Sequence, residues 1–193
     1  MALMDLLKLK QALARRYKRH IVDATRVAAA VLLPLCYRDG QYYIIFVKRS
    51  ETVKVHKGQV SFPGGMCEVT DASRLDTALR ECSEEIGLKA VEVEVLGELD
   101  DAITLTTGYI VTPFVGVITG SCHLQPDRQE IEQIIEIPLA TLLDKGNRTK
   151  ETQIIDGQET PVYTYRYQGQ VIWGATARIL AQFLEIFQSA MKK

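Results

Sequence analysis

The chain has 193 residues, of which 47% are hydrophobic and 24% are charged, and its formal net charge is −1 at pH 7. At about 150 residues per domain, this length predicts one domain with an additional terminal segment. The hydrophobic fraction is too high for an intrinsically disordered chain. The near-neutral charge argues against a dedicated nucleic-acid-binding protein, which would carry a strong basic excess.

The cysteine and hydrophobic patterns bear on the cellular compartment. The four cysteines form no CxxC pair and only three histidines are present, so no zinc-site spacing occurs. Reduced thiols in a cytoplasmic protein are the simplest interpretation. No stretch approaches the roughly 18 uncharged apolar residues that a membrane-spanning helix requires, so we expect no transmembrane segment.

The first 20 residues carry six lysine and arginine residues against a single acidic residue, Asp5. Five leucines are interspersed with these charges, a pattern that predicts an amphipathic helix. We divide the chain into this basic helical segment, residues 1–21, and a main domain, residues 22–193. The simplest role of the helix is a surface element at a terminus. Electrostatic attraction of an anionic substrate and binding to a membrane surface are the alternatives.

Segments rich in strand-forming residues alternate with turns through the main domain. Two apolar runs, 27–33 and 42–47, flank Asp39-Gly40, a dipeptide typical of a tight hairpin turn. Further strands are predicted at 91–99 and 110–118, and a second hairpin around Asp156-Gly157. The last 20 residues have apolar side chains at helical spacing. Strands with intervening helices indicate an α/β or α+β domain.

A helix with well-defined ends is predicted before Gly87. Ser73 or Asp71 would cap its start, and Gly87 would adopt the left-handed conformation that commonly ends a helix. Between these ends, five apolar residues fall within about 100° of the helical wheel. They are Leu75, Ala78, Leu79, Cys82 and Ile86.

Three glutamates share another face of this helix. Glu81, Glu84 and Glu85 follow the i, i+3, i+4 spacing that places side chains together. Like charges at this spacing destabilise a helix by roughly a few tenths of a kcal/mol. A hard divalent cation would offset the repulsion, since Mg²⁺ binds carboxylate oxygens and bridges them to substrate phosphates. The alternative is a solvated acidic face without a ligand, in which the adjacent Arg80 holds one carboxylate.

The segment 80–88, with the sequence RECSEEIGL, resembles the second half of the Nudix box, R-E-U-x-E-E-x-G-U with U apolar. Every specified position matches, with cysteine as the first apolar residue. The first half of the box aligns only with a one-residue shift, which pairs its glycine and glutamate with Gly65 and Asp71.

A longer upstream segment resembles one branch of this superfamily, the coenzyme A diphosphatases. Their signature has the form R-S-x3-[RK]-x-H-x-G-Q-V-x-F-P-G-G. Residues 49–65 read RSETVKVHKGQVSFPGG, with Lys54 where that branch often has arginine. Similarity to the branch continues at 96–101, 113–116 and 172–177.

The resemblance to the Nudix superfamily implies an α/β/α sandwich with a mixed β-sheet and a catalytic loop–helix–loop. It also implies hydrolysis of a pyrophosphate bond in a nucleoside diphosphate derivative, with Mg²⁺ or Mn²⁺ as the cofactor. For the CoA branch the substrate would be CoA or acyl-CoA, and the products would be 3′,5′-ADP and (acyl-)4′-phosphopantetheine. The alternatives are a Nudix hydrolase of ADP-ribose, dinucleotide polyphosphates or NTPs, and a nucleotide-sensing Nudix module without catalysis. A homodimer is a common state in the superfamily.

The resemblance and the chemistry of a diphosphate together assign candidate roles around the metal. Arg80 would orient Glu84 or Glu85. The base that activates water would be Glu130, in a segment that reads as a loop, or Glu84 itself. The metal ligands would be three glutamates and a backbone carbonyl, namely Glu81, Glu84, Glu85 and Gly65.

Candidate substrate-binding residues precede or form the glycine loop. Basic side chains there suit the phosphates of a CoA-like nucleotide, and glycines let the backbone approach phosphate or metal closely. The candidates are Arg49, Lys54, His56, Gly64 and Gly65.

Aromatic residues are interpreted mainly as packing groups. Phe62 is predicted to lie in the core and Trp173 to pack beneath the last helix. Cross-strand packing is also the expected role of the strand tyrosines, with stacking on adenine as the alternative; these are Tyr109, Tyr163, Tyr165 and Tyr167.

Overall fold

A computed structural model describes residues 2–51, 57–104, 107–120, 122–155 and 158–192. The side chains of residues 2–4, 155 and 158 are not included in this description. Two of the predicted substrate-binding residues, Lys54 and His56, and the predicted Asp156-Gly157 turn lie outside the described residues.

The main sheet has eight strands in which β3-β2-β1-β7-β5 form a continuous path. β4 and β6 pair with β1 and β7, and β8 pairs with β2. The strands are β1 (Val27–Arg38), β2 (Gln41–Arg49), β3 (Val60–Ser61), β4 (Gly64–Met66), β5 (Val93–Glu98), β6 (Ala102–Ile103), β7 (Tyr109–Ile118) and β8 (Ile131–Pro138).

The sheet is mixed because its two central strands run parallel. β1 and β7 pair over nine residues, from Val27 with Tyr109 to Leu35 with Val117, and the other pairs are antiparallel. The predicted hairpin between β1 and β2 is confirmed. Asp39 and Gly40 both have positive φ, 52° and 81°, as a two-residue hairpin turn requires.

Helices cover both faces of this sheet. Successive residues of a strand point to opposite faces, so Ala30 and Leu32 pack with α2 (Arg74–Ile86), while Leu33 and Leu35 join the core on the other side. That second core contains α1 (Ala2–Arg15), α3 (Leu139–Leu143) and α4 (Gly174–Met191). The arrangement is the predicted α/β/α sandwich.

A smaller antiparallel sheet precedes α4, in the order β11-β10-β9. Its strands are β9 (Arg148–Ile155), β10 (Gln158–Tyr167) and β11 (Gln170–Ile172). The backbones of Ile155 and Gln158 are paired, which confirms the predicted second hairpin.

The predicted amphipathic helix forms as α1, and it packs into the core. Leu9 and Leu13 are fully buried in the same hydrophobic cluster as α4. Lys10 pairs with Glu94 at 2.6 Å and Arg16 with Asp100 at 2.6 Å, so acidic residues near β5 partner the basic charge. The domain boundary at residue 21/22 stays a prediction.

Two differences from the sequence predictions have local causes. The strand predicted from residue 91 begins at Val93, because Ala90–Glu92 form a 3₁₀ turn in which the Glu92 carboxylate accepts from the Lys89 amide at 3.0 Å. β8 and α3 were not predicted. Buried and exposed residues alternate only in part along β8, so the strand has no regular two-residue pattern.

None of the helices in the described part of the chain is long and apolar enough to cross a membrane.

Candidate active site

The helix α2 presents the predicted acidic face, and its ends are fixed by local sequence. Ser73 Oγ accepts the Asp76 amide at 3.2 Å, which settles the choice of cap in favour of Ser73. At the other end Gly87 has a φ of 69°, and its amide donates to the Ser83 carbonyl at 3.1 Å. The core-facing side of α2 buries Cys82 and Ile86 completely, whereas the Glu84 side chain on the acidic face is 59% exposed.

Asp71, the alternative cap, instead holds Arg80. Arg80 Nε and Nη2 donate to the two carboxylate oxygens of Asp71 at 3.0 and 3.1 Å, and the Thr77 hydroxyl donates to the same carboxylate at 2.8 Å. The hydrogen bonds from Arg80 hold the pKa of Asp71 well below its usual range. The guanidinium plane is therefore fixed before it meets the glutamates.

From this fixed position Arg80 bridges two of the predicted metal ligands. Its Nη1 donates to Glu81 Oε1 at 2.9 Å and to Glu84 Oε2 at 3.0 Å, and its Nη2 donates to the Met66 carbonyl at 3.1 Å. The prediction that Arg80 orients Glu84 is consistent with this contact. The arginine thus ties the face of α2 to β4.

Glu85 behaves differently from the other two glutamates. Only 3% of its side chain is exposed; the Gly64 amide donates to Oε2 at 3.0 Å and Arg49 Nη1 donates to Oε1 at 3.0 Å. Burial raises the pKa of Glu85 to about 7, and burial also raises the pKa of Glu81. Arg49 Nη2 reaches Glu130 at 3.4 Å, so one arginine links the buried carboxylate to the loop before β8.

The glycine loop allows β4 to lie directly under the glutamates. Gly64 has a φ of 147°, and a Cβ there would lie 2.3 Å from the Ala30 carbonyl oxygen, so no side chain fits. A Cβ on Gly65 would lie 2.5 Å from Glu81 Cδ. The backbone of Gly65 therefore approaches the Glu81 carboxylate closely, as the prediction that both bind one metal ion requires.

These residues open into a cavity of about 710 Å³, within the size range of small-molecule sites. We call one part of its lining the acidic side: Arg49, Gly64, Gly65, Glu68, Arg80, Glu81, Glu84 and Glu130. Among the described residues Glu85 does not line the cavity, and its carboxylate lies behind the acidic side. The sequence spacing alone treats the three glutamates as equivalent, whereas the structure does not.

The fit of a divalent cation can be judged from the oxygen atoms at the acidic side. Across the ranges that the structure describes, no three acidic, histidine or cysteine side chains already form a group that could hold a metal ion. Arg80 pairs with one oxygen each of Glu81 and Glu84, and the second oxygen of each makes no ion pair with a described residue. Carboxylate and carbonyl oxygens are the ligands that hard divalent cations prefer. The donor set therefore fits such a cation.

The other part of the lining comes from the small sheet and α4, and we call it the C-terminal wall. Trp173 is 49% exposed there, at the residue before α4, so the prediction that it packs beneath the last helix is wrong. α4 begins at Gly174, so the indole ring of Trp173 precedes the first turn of the helix and does not lie beneath it. The wall consists of Gln153, residues 160–164, residues 173–176, Arg178 and Ile179.

The tyrosines and Phe62 mostly pack, as predicted. Phe62 is 2% exposed and stacks on Phe46, and Tyr165 is buried in the core. Tyr109 and Tyr163 also line the cavity, so their side chains combine packing with a surface open to a ligand.

Three residues of the site were not singled out for it by sequence reasoning. Asp71 had a signal, because the shifted Nudix box pairs it with the box's first glutamate. Glu68 lies in a turn with no periodic pattern. Arg178 is the only cationic residue in α4. A single arginine among mostly apolar helix residues was the signal that could have pointed to a role in the site.

Comparison with known proteins identifies the family. A model of the NUDIX domain matches residues 25–157. A relative from Photorhabdus laumondii, described as a Nudix hydrolase, NudL, is 38% identical over 83% of this chain and 84% of its own. A NudL of Klebsiella pneumoniae is 35% identical over 92% and 91%.

Solved structures agree at the level of the fold. The MutT/nudix family protein from Enterococcus faecalis aligns with a TM-score of 0.58 and 14% identity, over 97% of this chain and 70% of that protein. The domain match over most of the chain, together with the two NudL relatives, shows that this protein belongs to the Nudix hydrolase family.

Proposed function

We propose that this Nudix hydrolase cuts the diphosphate bridge of CoA or acyl-CoA in the presence of Mg²⁺ or Mn²⁺. Pyrophosphate hydrolysis of nucleotide derivatives is the activity of the family. The single observation that carries the proposal is that Glu81 lies against the Gly65 backbone and shares the Arg80 guanidinium with Glu84, at the edge of a cavity large enough for a nucleotide. The CoA assignment rests on the resemblance of residues 49–65 to the CoA diphosphatase signature.

The proposed metal ligands are the carboxylates of Glu81, Glu84 and Glu85 and the carbonyl of Gly65. When bound, a divalent cation would neutralise the phosphate oxygens and lower the pKa of a water molecule. Glu85 is anchored by the Gly64 amide next to Gly65, so it reaches the same loop from the buried side.

Arg80 positions the proposed ligands and does not need to touch the substrate. Asp71 fixes its guanidinium through two hydrogen bonds, and Arg80 in turn contacts Glu81 and Glu84. Carboxylates that are already held in place lose little conformational entropy when they bind a metal ion, and this is how supporting contacts favour binding.

Glu130 is the proposed base. It lines the cavity from the loop before β8, its side chain is 53% exposed, and Arg49 holds it at 3.4 Å. It would accept a proton from the attacking water as the new phosphorus–oxygen bond forms and the bridging oxygen leaves with the other phosphate. Glu84 is the alternative base.

The proposed contacts to the substrate come from the end of β2, from residues between β2 and β3, and from β4. Arg49 lines the cavity, although its guanidinium already pairs with Glu85 and Glu130. The Gly64 and Gly65 backbones, Lys54 and His56 complete the proposed set. The homodimer and the cytoplasmic location stay predictions from the sequence.

The test is product analysis on a substrate panel. Purified protein with Mg²⁺ or Mn²⁺ is incubated with CoA, acetyl-CoA, ADP-ribose, NADH, a dinucleotide polyphosphate and NTPs, and products are resolved by chromatography and mass spectrometry. We expect CoA and acetyl-CoA to be the best substrates and to release 3′,5′-ADP. Faster hydrolysis of ADP-ribose or another nucleotide would overturn the CoA assignment, and nucleotide binding without turnover of any of them would indicate a sensor.

A further inference from the structure

The cavity extends well beyond the acidic side, and its far lining has a different chemistry. The C-terminal wall contributes Trp173, Pro161, Val162 and Ile179, which are apolar, together with a basic residue, Arg178. In the proposed function a diphosphate with its cations would occupy the acidic side. The wall must therefore face whatever else the substrate carries.

Among the described residues, three cationic side chains line the cavity, and two of them are paired with carboxylates. Arg49 pairs with Glu85 and Glu130, and Arg80 pairs with Asp71 and two glutamates. Arg178 forms no ion pair with any acidic residue in the described ranges, and the contact it makes is to the Ile103 carbonyl. Among the described lining residues, Arg178 is therefore the cation that can still accept an anionic partner.

Arg178 is partly buried, which makes its lack of a carboxylate partner costly. Burial lowers the pKa of its guanidinium, and burial is the cause that accounts for the shift. A guanidinium has five N–H donors, and one neutral carbonyl satisfies only part of that capacity. A phosphate would accept two of the remaining donors in parallel, the geometry that arginine favours.

The strand registers give the separation between Arg178 and the acidic side. Met66, Ala29, Val111 and Ala102 are successive partners across β4, β1, β7 and β6. Three strand spacings amount to about 14 Å. Ile103, whose carbonyl holds Arg178, follows Ala102 at the far end of this row, whereas Gly65 precedes Met66 at the near end. The two ends of this row are therefore far enough apart to bind two separate anionic groups.

We propose that Arg178 binds a second anionic group of the substrate, separate from the diphosphate, and so selects nucleotides that carry a further phosphate on the ribose. This inference rests on the proposed function, because the diphosphate must occupy the acidic side. It assigns the 3′-phosphate of a CoA-like substrate to the C-terminal wall. Arg49, with both of its carboxylate partners in place, is then left to position Glu85 and Glu130.

The test compares ligands that differ only in that phosphate. Binding of adenosine 3′,5′-bisphosphate and of 5′-AMP is measured by isothermal titration calorimetry without metal, for the wild type and for R178Q. We expect the wild type to prefer the bisphosphate, and R178Q to lose about 10- to 100-fold in affinity for it, the scale of a charge-assisted contact. The affinity for 5′-AMP should change by less than about 2-fold, because that ligand lacks the second phosphate.

Two further variants keep the result interpretable. R166Q removes an exposed arginine of β10 that does not line the cavity, and it should bind both ligands like the wild type. R178K keeps the charge without the planar fork and should lose less affinity than R178Q. Equal weakening of both ligands by R178Q, or a wild type without preference, would overturn the inference.

Turnover separates this inference from the proposed function. Hydrolysis of CoA and dephospho-CoA is measured with the same variants. CoA turnover with equal losses for the two substrates in R178Q would leave the proposed function standing and refute the role of Arg178. Failure to hydrolyse CoA, with an Arg178-dependent preference for the bisphosphate still present, would refute the proposed function alone.

Discussion

The acidic side and the C-terminal wall line one cavity, but the chain builds them in different ways. Most of the acidic side comes from one short segment, β4 through α2. In this segment the helical spacing and the caps are determined by residues close together in the sequence. The C-terminal wall comes from β9, β10 and the start of α4, and it meets the acidic side only because α4 packs on the main sheet.

This difference separates two functions. In the proposed function the acidic side acts on the diphosphate. The wall, which contains an aromatic ring and a cation without an acidic partner among the described residues, faces the rest of the substrate. We therefore expect substitutions at the acidic side to lower turnover of every substrate. Substitutions in the wall should change affinity and preference between substrates.

The largest effect is expected for Glu84→Gln. The change removes one proposed ligand charge and should lower kcat at least about 100-fold for all substrates, the scale of losing one preorganised electrostatic group. The Glu84 side chain is 59% exposed, so the melting temperature should hardly change. Steady-state kinetics and thermal unfolding give both values.

Glu94→Gln is the matched control, because Glu94 is similarly exposed at 49% and lies on β5 outside the cavity lining. It should retain full activity. Near-normal turnover by E84Q would reject Glu84 as a ligand. A loss of turnover in E84Q that differs between substrates would contradict the proposal that the acidic side acts on all substrates alike and the wall distinguishes them.

An intermediate effect is expected for Asp71→Asn. Without its charge Asp71 holds Arg80 less firmly, so kcat should fall by about 10- to 100-fold, as for other residues that support a metal site. KM should change little, because Asp71 does not line the cavity. Asp39→Asn, at a turn where the side chain is 78% exposed, is the control.

The same variant tests the electrostatic role of Asp71 through pH. Because hydrogen bonds from Arg80 lower the pKa of Asp71 in the folded state, the ionised carboxylate contributes stability that is present above its unfolded pKa of about 3.9. That contribution is lost as the pH falls toward the folded value. Denaturation at pH 7 and pH 3 should therefore show a smaller loss of stability in D71N than in the wild type; an equal loss would contradict the role.

The smallest effect is expected for Trp173→Ala. The half-exposed ring offers contact area to the substrate without contacting the reacting groups, so KM should rise by about 2- to 10-fold while kcat stays nearly constant. Tyr17→Ala is the control, because Tyr17 is 92% exposed and does not line the cavity. A fall in kcat with unchanged KM would place Trp173 among the groups that act on the reaction instead.

The sequence predicted what is encoded locally. The hairpin at Asp39-Gly40 and the end of α2 at Gly87 depend on residues within a few positions of one another. The mixed sheet and the sandwich followed from the resemblance to the Nudix superfamily. The two local predictions are confirmed because turn chemistry and helix capping agree with the fold around them.

Long-range pairings limited the predictions for the site. Arg49 and Glu85 are 36 residues apart, and nothing in their spacing indicates that burial and an ion pair would set Glu85 apart from Glu81 and Glu84. Trp173 was predicted to pack beneath the last helix, but its place just before α4 leaves the ring at the cavity.

The proposed function depends most on a divalent cation held by Glu81, which lies against the Gly65 backbone, and by Glu84. Anomalous diffraction from crystals grown with Mn²⁺ tests it without reference to activity. We expect an anomalous Mn²⁺ peak about 2.1 Å from oxygens of both carboxylates, the distance typical of small hard cations. A Mn²⁺-dependent enzyme whose crystals show the ion elsewhere, with these two carboxylates still paired only with Arg80, would contradict it.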